Sequence, residues 1–160
     1  MMKVILPFVI GYSFSVFLGH VFTQGIVDAA YRRLPNAVTI RGEVLFVRVL
    51  GLLERALYTA SWQFGKPEFV GVWLVLKVAG QWKAWHEPTE EGGSTIHPRE
   101  LFAIFLIGNG LSLLYATTGA KLIEWIAKCD WLPAISVPMV IILSSGMVWY
   151  WTARRSPSVV

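Results

Sequence analysis

Glu54, Arg55 and Lys77 are the residues most able to do chemistry in this chain, because all three sit inside hydrophobic stretches long enough to cross a bilayer. A carboxylate there can carry a proton, and a guanidinium or ammonium can hold an anion. The charges lie on either side of one turn, Gly65-Lys66-Pro67. Glu54 and Lys77 are each about 11 residues from its middle, or about 17 Å at the helical rise. That depth is near the centre of a hydrocarbon core about 30 Å thick. A lone charge is costly there, so the residues are expected to meet one another and to mark a functional site. Glu54 is expected to pair with Lys77 across the hairpin. Arg55, about 100° around the same helix, is left to seek Asn109, Ser112, Tyr115, a carbonyl or an anionic ligand. Arg48, Arg55 and Trp62, seven residues apart, are read as one face. Asn109 lies between Gly108 and Gly110, where an opened or closely approached helix could line a binding site.

Other reactive residues form no constellation. His20, His86 and His97 lack metal-ligand spacing and are read as independent. Cys129 is the single cysteine, which excludes an internal disulfide and a thiolate metal cluster. Ser61, Ser144 and Ser145 lack a nucleophile-elbow context, and no phosphate-binding glycine loop occurs. No cofactor, no metal and no catalytic residue are expected.

Elements that could position the buried charges are legible from composition. The chain is 55% hydrophobic and 15% charged, well below the charge content of soluble domains. These values point to an all-α polytopic membrane protein with about five transmembrane helices in a single domain over residues 1–160. The expected spans are about 4–23, 44–64, 69–85, 101–120 (extendable to 126) and 131–151. Most tryptophans fall near their ends, where headgroups begin. The first span is longer than a signal-peptide core and is read as a retained helix. Pro67, Pro98 and Asp130 suit helix starts, and Pro138 should kink the last span.

Arg32, Arg33, Arg41, Lys83, Arg99, Arg154 and Arg155 fall on one side of such a membrane. Lys3, Lys66, Lys121 and Lys128 fall on the other. The excess places the N-terminus outside and the C-terminus in the cytoplasm. It also accounts for the net charge of +4 without a nucleic-acid partner. The segment from Ala84 to Glu100 is read as a flexible connection.

Helices in lipid associate by close packing. Two stripes of small residues repeat every four positions: Gly11, Ser15, Gly19, Thr23 in span one, and Gly108, Ser112, Ala116, Ala120 in span four. They predict helix contacts, either within the chain or between copies. The expected partners are the bilayer itself and a second copy or another membrane protein.

Residues 51–125 resemble a family of small bacterial inner-membrane proteins. The resemblance rests on Glu54-Arg55-Ala56-Leu57-Tyr58, Gly65, Gly71-Val72-Trp73-Leu74, Lys77-Val78-Ala79, and Phe105-Leu106-Ile107-Gly108 with Ser112. It implies a bacterial inner-membrane location and brings no activity. A related pattern has an acidic residue near Ala103, where this chain has Glu100 a turn earlier.

Three functions are compatible with these residues. The chain could bind or move an ion, proton or small anion at Glu54, Arg55, Lys77 and Asn109. It could be a non-catalytic subunit that scaffolds a larger membrane complex. It could act on a lipid phosphate, with Arg32, Arg33, Arg41 and Arg99 as the phosphate holders and His97 or Glu100 as acid or base.

Overall fold

The computed structural model describes residues 2–33, 44–86, 90–91, 94–95 and 98–154. Arg41, Glu87, His97 and Arg155 lie outside them, and so do the side chains of Lys3, Lys83 and His86. The helices are α1 (Met2–Tyr12), a π-helical segment (Ser13–Leu18), α2 (Gly19–Tyr31), α3 (Val44–Gln63), α4 (Glu68–His86), α5 (Pro98–Ala127) and α6 (Trp131–Arg154). Between α4 and α5, β1 (Glu90–Glu91) pairs antiparallel with β2 (Ser94–Thr95). The segment read as a flexible connection therefore contains a minimal strand pair.

Among the described residues, three stretches are long and apolar enough to cross a membrane: Ile5–Tyr31, Arg99–Ala127 and Trp131–Arg154. Helices α3 and α4 are of similar length but carry Arg48, Glu54 and Arg55, and Glu68, Lys77 and Lys83. Large apolar side chains face outward all around the bundle, among them Phe17, Leu53, Val75, Leu106 and Leu143. Apolar surface of this extent is not tolerated in water by a monomer, and lipid removes the penalty.

The first span runs two turns beyond the expected Thr23. Thr23, Ile26 and Ala29 are buried, so packing carries the helix past the polar Thr23-Gln24 pair. Its middle widens at Ser13–Leu18, where the Gly19 amide reaches back to the Phe14 carbonyl. Helix α6 continues through Pro138, which is buried.

Helix α5 touches every other helix and forms the centre of the bundle. Its partnership with α3 has a fixed register. Arg55 donates to Ser112, Thr59 lies against the Ala116 carbonyl, and Gln63 donates to the Ala120 carbonyl. Each pair is separated by 57 residues, so the two helices run parallel with matching four-residue steps. The first span runs antiparallel to α5. A Cβ at Gly11 would lie 2.6 Å from the Gly119 carbonyl oxygen, and one at Gly19 would lie 2.8 Å from the Tyr115 Cβ. The small-residue stripes are thus consumed inside one chain. Gly119, absent from the expected stripe, is the closest approach on the α5 side.

Two turns end by the same device. Gly65 (φ 66°) follows α3, with Lys66 N donating to Ser61 O at 2.8 Å and Gly65 N to Trp62 O at 3.2 Å. Cys129 (φ 62°) follows α5, with Asp130 N donating to Trp125 O at 2.8 Å and Cys129 N to Ile126 O at 3.1 Å. Both are Schellman closures, which satisfy the last carbonyls of a helix.

Candidate functional site

Glu54 and Arg55 are adjacent on α3, and the helix turns them about 100° apart, toward different neighbours. Glu54 faces α4. Its Oε2 accepts from Lys77 Nζ at 2.8 Å, and its Oε1 accepts from Trp73 Nε1 at 3.0 Å. Lys77 Nζ also donates to Asn109 Oδ1 at 2.8 Å and lies 5.5 Å from the centre of the Phe105 ring. Asn109 Nδ2 donates to the Phe105 carbonyl at 2.8 Å. The pairing expected across the hairpin is present, and Asn109 joins it. Three helices are tied together by one carboxylate, one ammonium and two neutral groups. Glu54 is 3% exposed.

Arg55 faces the first span. Its Nη1 donates to Ser112 Oγ at 3.0 Å and its Nη2 to His20 Nδ1 at 2.9 Å. It is 1% exposed, and its Nε makes no hydrogen bond among the described residues. No carboxylate pairs with it among the described residues, although Glu54 is its neighbour in sequence. Gly19 leaves the space it needs, since a Cβ there would lie 3.1 Å from Arg55 Cδ. Below it, Thr59 Oγ1 lies 2.8 Å from the Arg55 carbonyl and 2.7 Å from Ser15 Oγ. This links the π-helical segment to α3.

The expected four-residue centre is therefore two centres. Glu54, Lys77 and Asn109 form one with Trp73, and Arg55 forms the other with His20 and Ser112. Of the expected face of Arg48, Arg55 and Trp62, only Arg55 is buried. Arg48 and Trp62 are exposed, whereas Arg55, Tyr58 and Thr59 are buried together at three- and four-residue spacing. Seven residues is two turns less 20°, and the true contact with α5 follows the four-residue ladder. Helix α5 is unbroken at Gly108-Asn109-Gly110. Gly108 is closely approached, since a Cβ there would lie 3.3 Å from Val27 Cγ2, while Gly110 faces open space.

His20 is not independent of the charges. A guanidinium only donates, so His20 Nδ1 must accept, and the ring is neutral with its proton on Nε2. Protonating Nδ1 would abolish that bond and set two cations together. Trp73 also escaped the sequence reading. The signal for it was its position four residues before Lys77, on the same helix face. Tyr58 and Tyr115 are fully buried, and the Tyr58 hydroxyl makes no hydrogen bond among the described residues. Those residues contain no group of three or more metal-ligating side chains.

Comparison with family models, curated proteins and solved structures finds no match.

Proposed function

We propose that this chain is a five-span protein of the bacterial inner membrane that binds or moves a small anion at Arg55. The supporting observation is the guanidinium itself: 1% exposed, at mid-helix, with two neutral partners. Glu54 and Lys77 cancel, so Arg55 leaves the buried set one positive charge in excess. A buried charge without an ion-pair partner is strongly disfavoured, and an anion would supply the pairing that the described residues do not. Ser112 adds a hydroxyl beside the guanidinium. His20 is the half-buried partner on the first span, and its proton controls one guanidinium bond. Helices α3 and α4 count as spans in this reading because Glu54 and Lys77 pair with each other and Arg55 turns inward, while Arg48 and Glu68 lie toward helix ends. The basic side faces the cytoplasm, so the N-terminus is outside. No catalytic role is assigned.

The test is anion flux into liposomes bearing the purified protein. Wild type should admit nitrate or chloride. Arg55→Gln should lose at least tenfold of that flux, and Ser112→Ala should weaken it while preserving the bundle. Absence of both flux and anion binding in folded wild type would refute the assignment.

A second reading is favoured by the other centre. Glu54, Trp73, Lys77 and Asn109 bond to one another and to the Phe105 carbonyl with opposite charges paired, which is how a purely structural network looks. A scaffolding subunit would then recruit its partner through outward faces, because both small-residue stripes are already occupied. A stoichiometric partner that co-purifies, together with absent flux, would favour it.

A further inference from the structure

The ends of α2 and α6 carry a second site, and we propose that it binds the phosphate of an anionic glycerophospholipid, with an acyl chain in the adjoining groove. It is independent of Arg55 but rests on the membrane-spanning reading. The groove has a volume of about 350 Å³ and is lined by Met147, Val148, Trp151, Thr152 and Arg33. All but the last two are apolar, and the groove lies on the outer face where the spans Ile5–Tyr31 and Trp131–Arg154 both end.

Arg33 is held over this groove. Its Nη2 donates to the Trp151 carbonyl at 3.1 Å and the Thr152 carbonyl at 2.6 Å. Those carbonyls belong to the last turn of α6, whose acceptors lack helical partners. Capping them fixes the guanidinium and leaves Nη1 and Nε without a hydrogen bond among the described residues. Arg32 and Arg154 are exposed at the same ends, and the Arg154 guanidinium stacks 4.6 Å above the Tyr150 ring. Asp28, one turn before Arg32, is the carboxylate on this side of α2. The rim is thus cationic, ringed by Tyr150 and Trp151, and opens onto an apolar furrow. That is the profile of a phospholipid: a negative headgroup at the interface and a hydrocarbon tail below it. A second copy fits less well, because it would bring the same three arginines against these.

The experiment uses the full chain in nanodiscs of equal phosphatidylcholine and phosphatidylglycerol, with retained lipid counted by native mass spectrometry after detergent release. Phosphatidylglycerol should be enriched in wild type. Arg33→Gln should reduce the enrichment about fivefold, the effect of one basic residue at an anionic surface. Val148→Trp fills the groove without touching the Arg33 bonds and should also reduce retention, so the test survives an unfolded arginine variant. Equal retention of both lipids by wild type overturns the proposal. A dimer or a tightly held protein partner that shields Val148 overturns it too. Alkaline carbonate extraction separates the two failures: a chain released from membranes refutes the spanning reading itself, whereas a retained chain without lipid preference refutes only this site.

Discussion

Replacing Gly119 with alanine should separate the first span from α5. The Cβ would lie 2.6 Å from the Gly11 carbonyl oxygen and 2.7 Å from the Ser15 Cβ. Neither obstacle is the tip of a flexible side chain, so relief must come from moving a helix. Carbon contacts settle at about 3.5–4.0 Å, so the helices must part by several tenths of an ångström or more. A radial gap of about 0.5–1 Å already forfeits a quarter to a half of each dispersion contact along the seam. Overpacking of this kind costs about 1–3 kcal/mol. The Ser15–Thr59 hydrogen bond lies beside the clash, so the loss should fall in the upper half of that range.

Gly110→Ala, on the same helix, is the control. A Cβ there meets nothing within 4 Å. Alanine also has the higher helix propensity, by up to about 1 kcal/mol. Gly110→Ala should therefore be neutral or slightly stabilising. Unfolding by sodium dodecyl sulfate in mixed micelles, followed by tryptophan fluorescence and far-UV dichroism, measures both. The two variants should differ by about 2–3 kcal/mol. Gly11→Ala should behave like Gly119→Ala, since its Cβ would strike the Gly119 carbonyl and Ile123. The double variant should cost less than the sum, because one separation relieves both clashes. Equal unfolding midpoints for Gly119→Ala and Gly110→Ala would refute the packing argument.

The same assay reads two other features. Lys77→Met strands the Glu54 carboxylate, 3% exposed, and should cost about 3–5 kcal/mol, whereas Glu54→Gln should cost less because Lys77 is 22% exposed and keeps Asn109; the double variant should recover most of the loss, and strict additivity would count against a coupled pair. At the helix ends, Cys129→Gly should stabilise by about 0.5–1 kcal/mol by relieving a left-handed backbone, and Gly65→Ala should destabilise by about 1 kcal/mol for the opposite reason; matching midpoints in both would refute the role given to φ.

Much of the helical architecture was legible because its signals are local. Apolar run length marks α6, proline and glycine mark the Gly65-Lys66-Pro67 turn, and the four-residue stripes mark the faces that meet. The sequence was less informative where neighbours decide. Nothing local announces that the first span widens at Ser13–Leu18, since π-helical geometry follows from seating Ser15 and Gly19 against α3 and α5. Nothing marks Gly119 above Gly108, because the closest approach depends on where two helix axes cross. The extension of α2 to Tyr31 is likewise a packing effect, carried by Ile26 and Ala29 against polar neighbours.

The candidate site shows the same division, and the reason is rotational. Depth along a helix can be counted from a turn, which is why Glu54 and Lys77 could be matched. Azimuth needs a reference on the neighbouring helix, and that reference is the offset of 57 residues between α3 and α5. With Ser112 facing Arg55, the step of about 100° to Glu54 points the carboxylate at α4 and away from the guanidinium. A turn of α3 by that angle would remove Arg55 from Ser112 and His20 and bring Glu54 to face the first span, stranding Lys77. Both charges oppose such a rotation, so they fix α3 in one orientation while remaining apart. The separation is what leaves Arg55 without an ion-pair partner among the described residues. Had the chain needed only a lock, a carboxylate facing Arg55 from the first span would have completed it, but the residue at that position is the neutral His20.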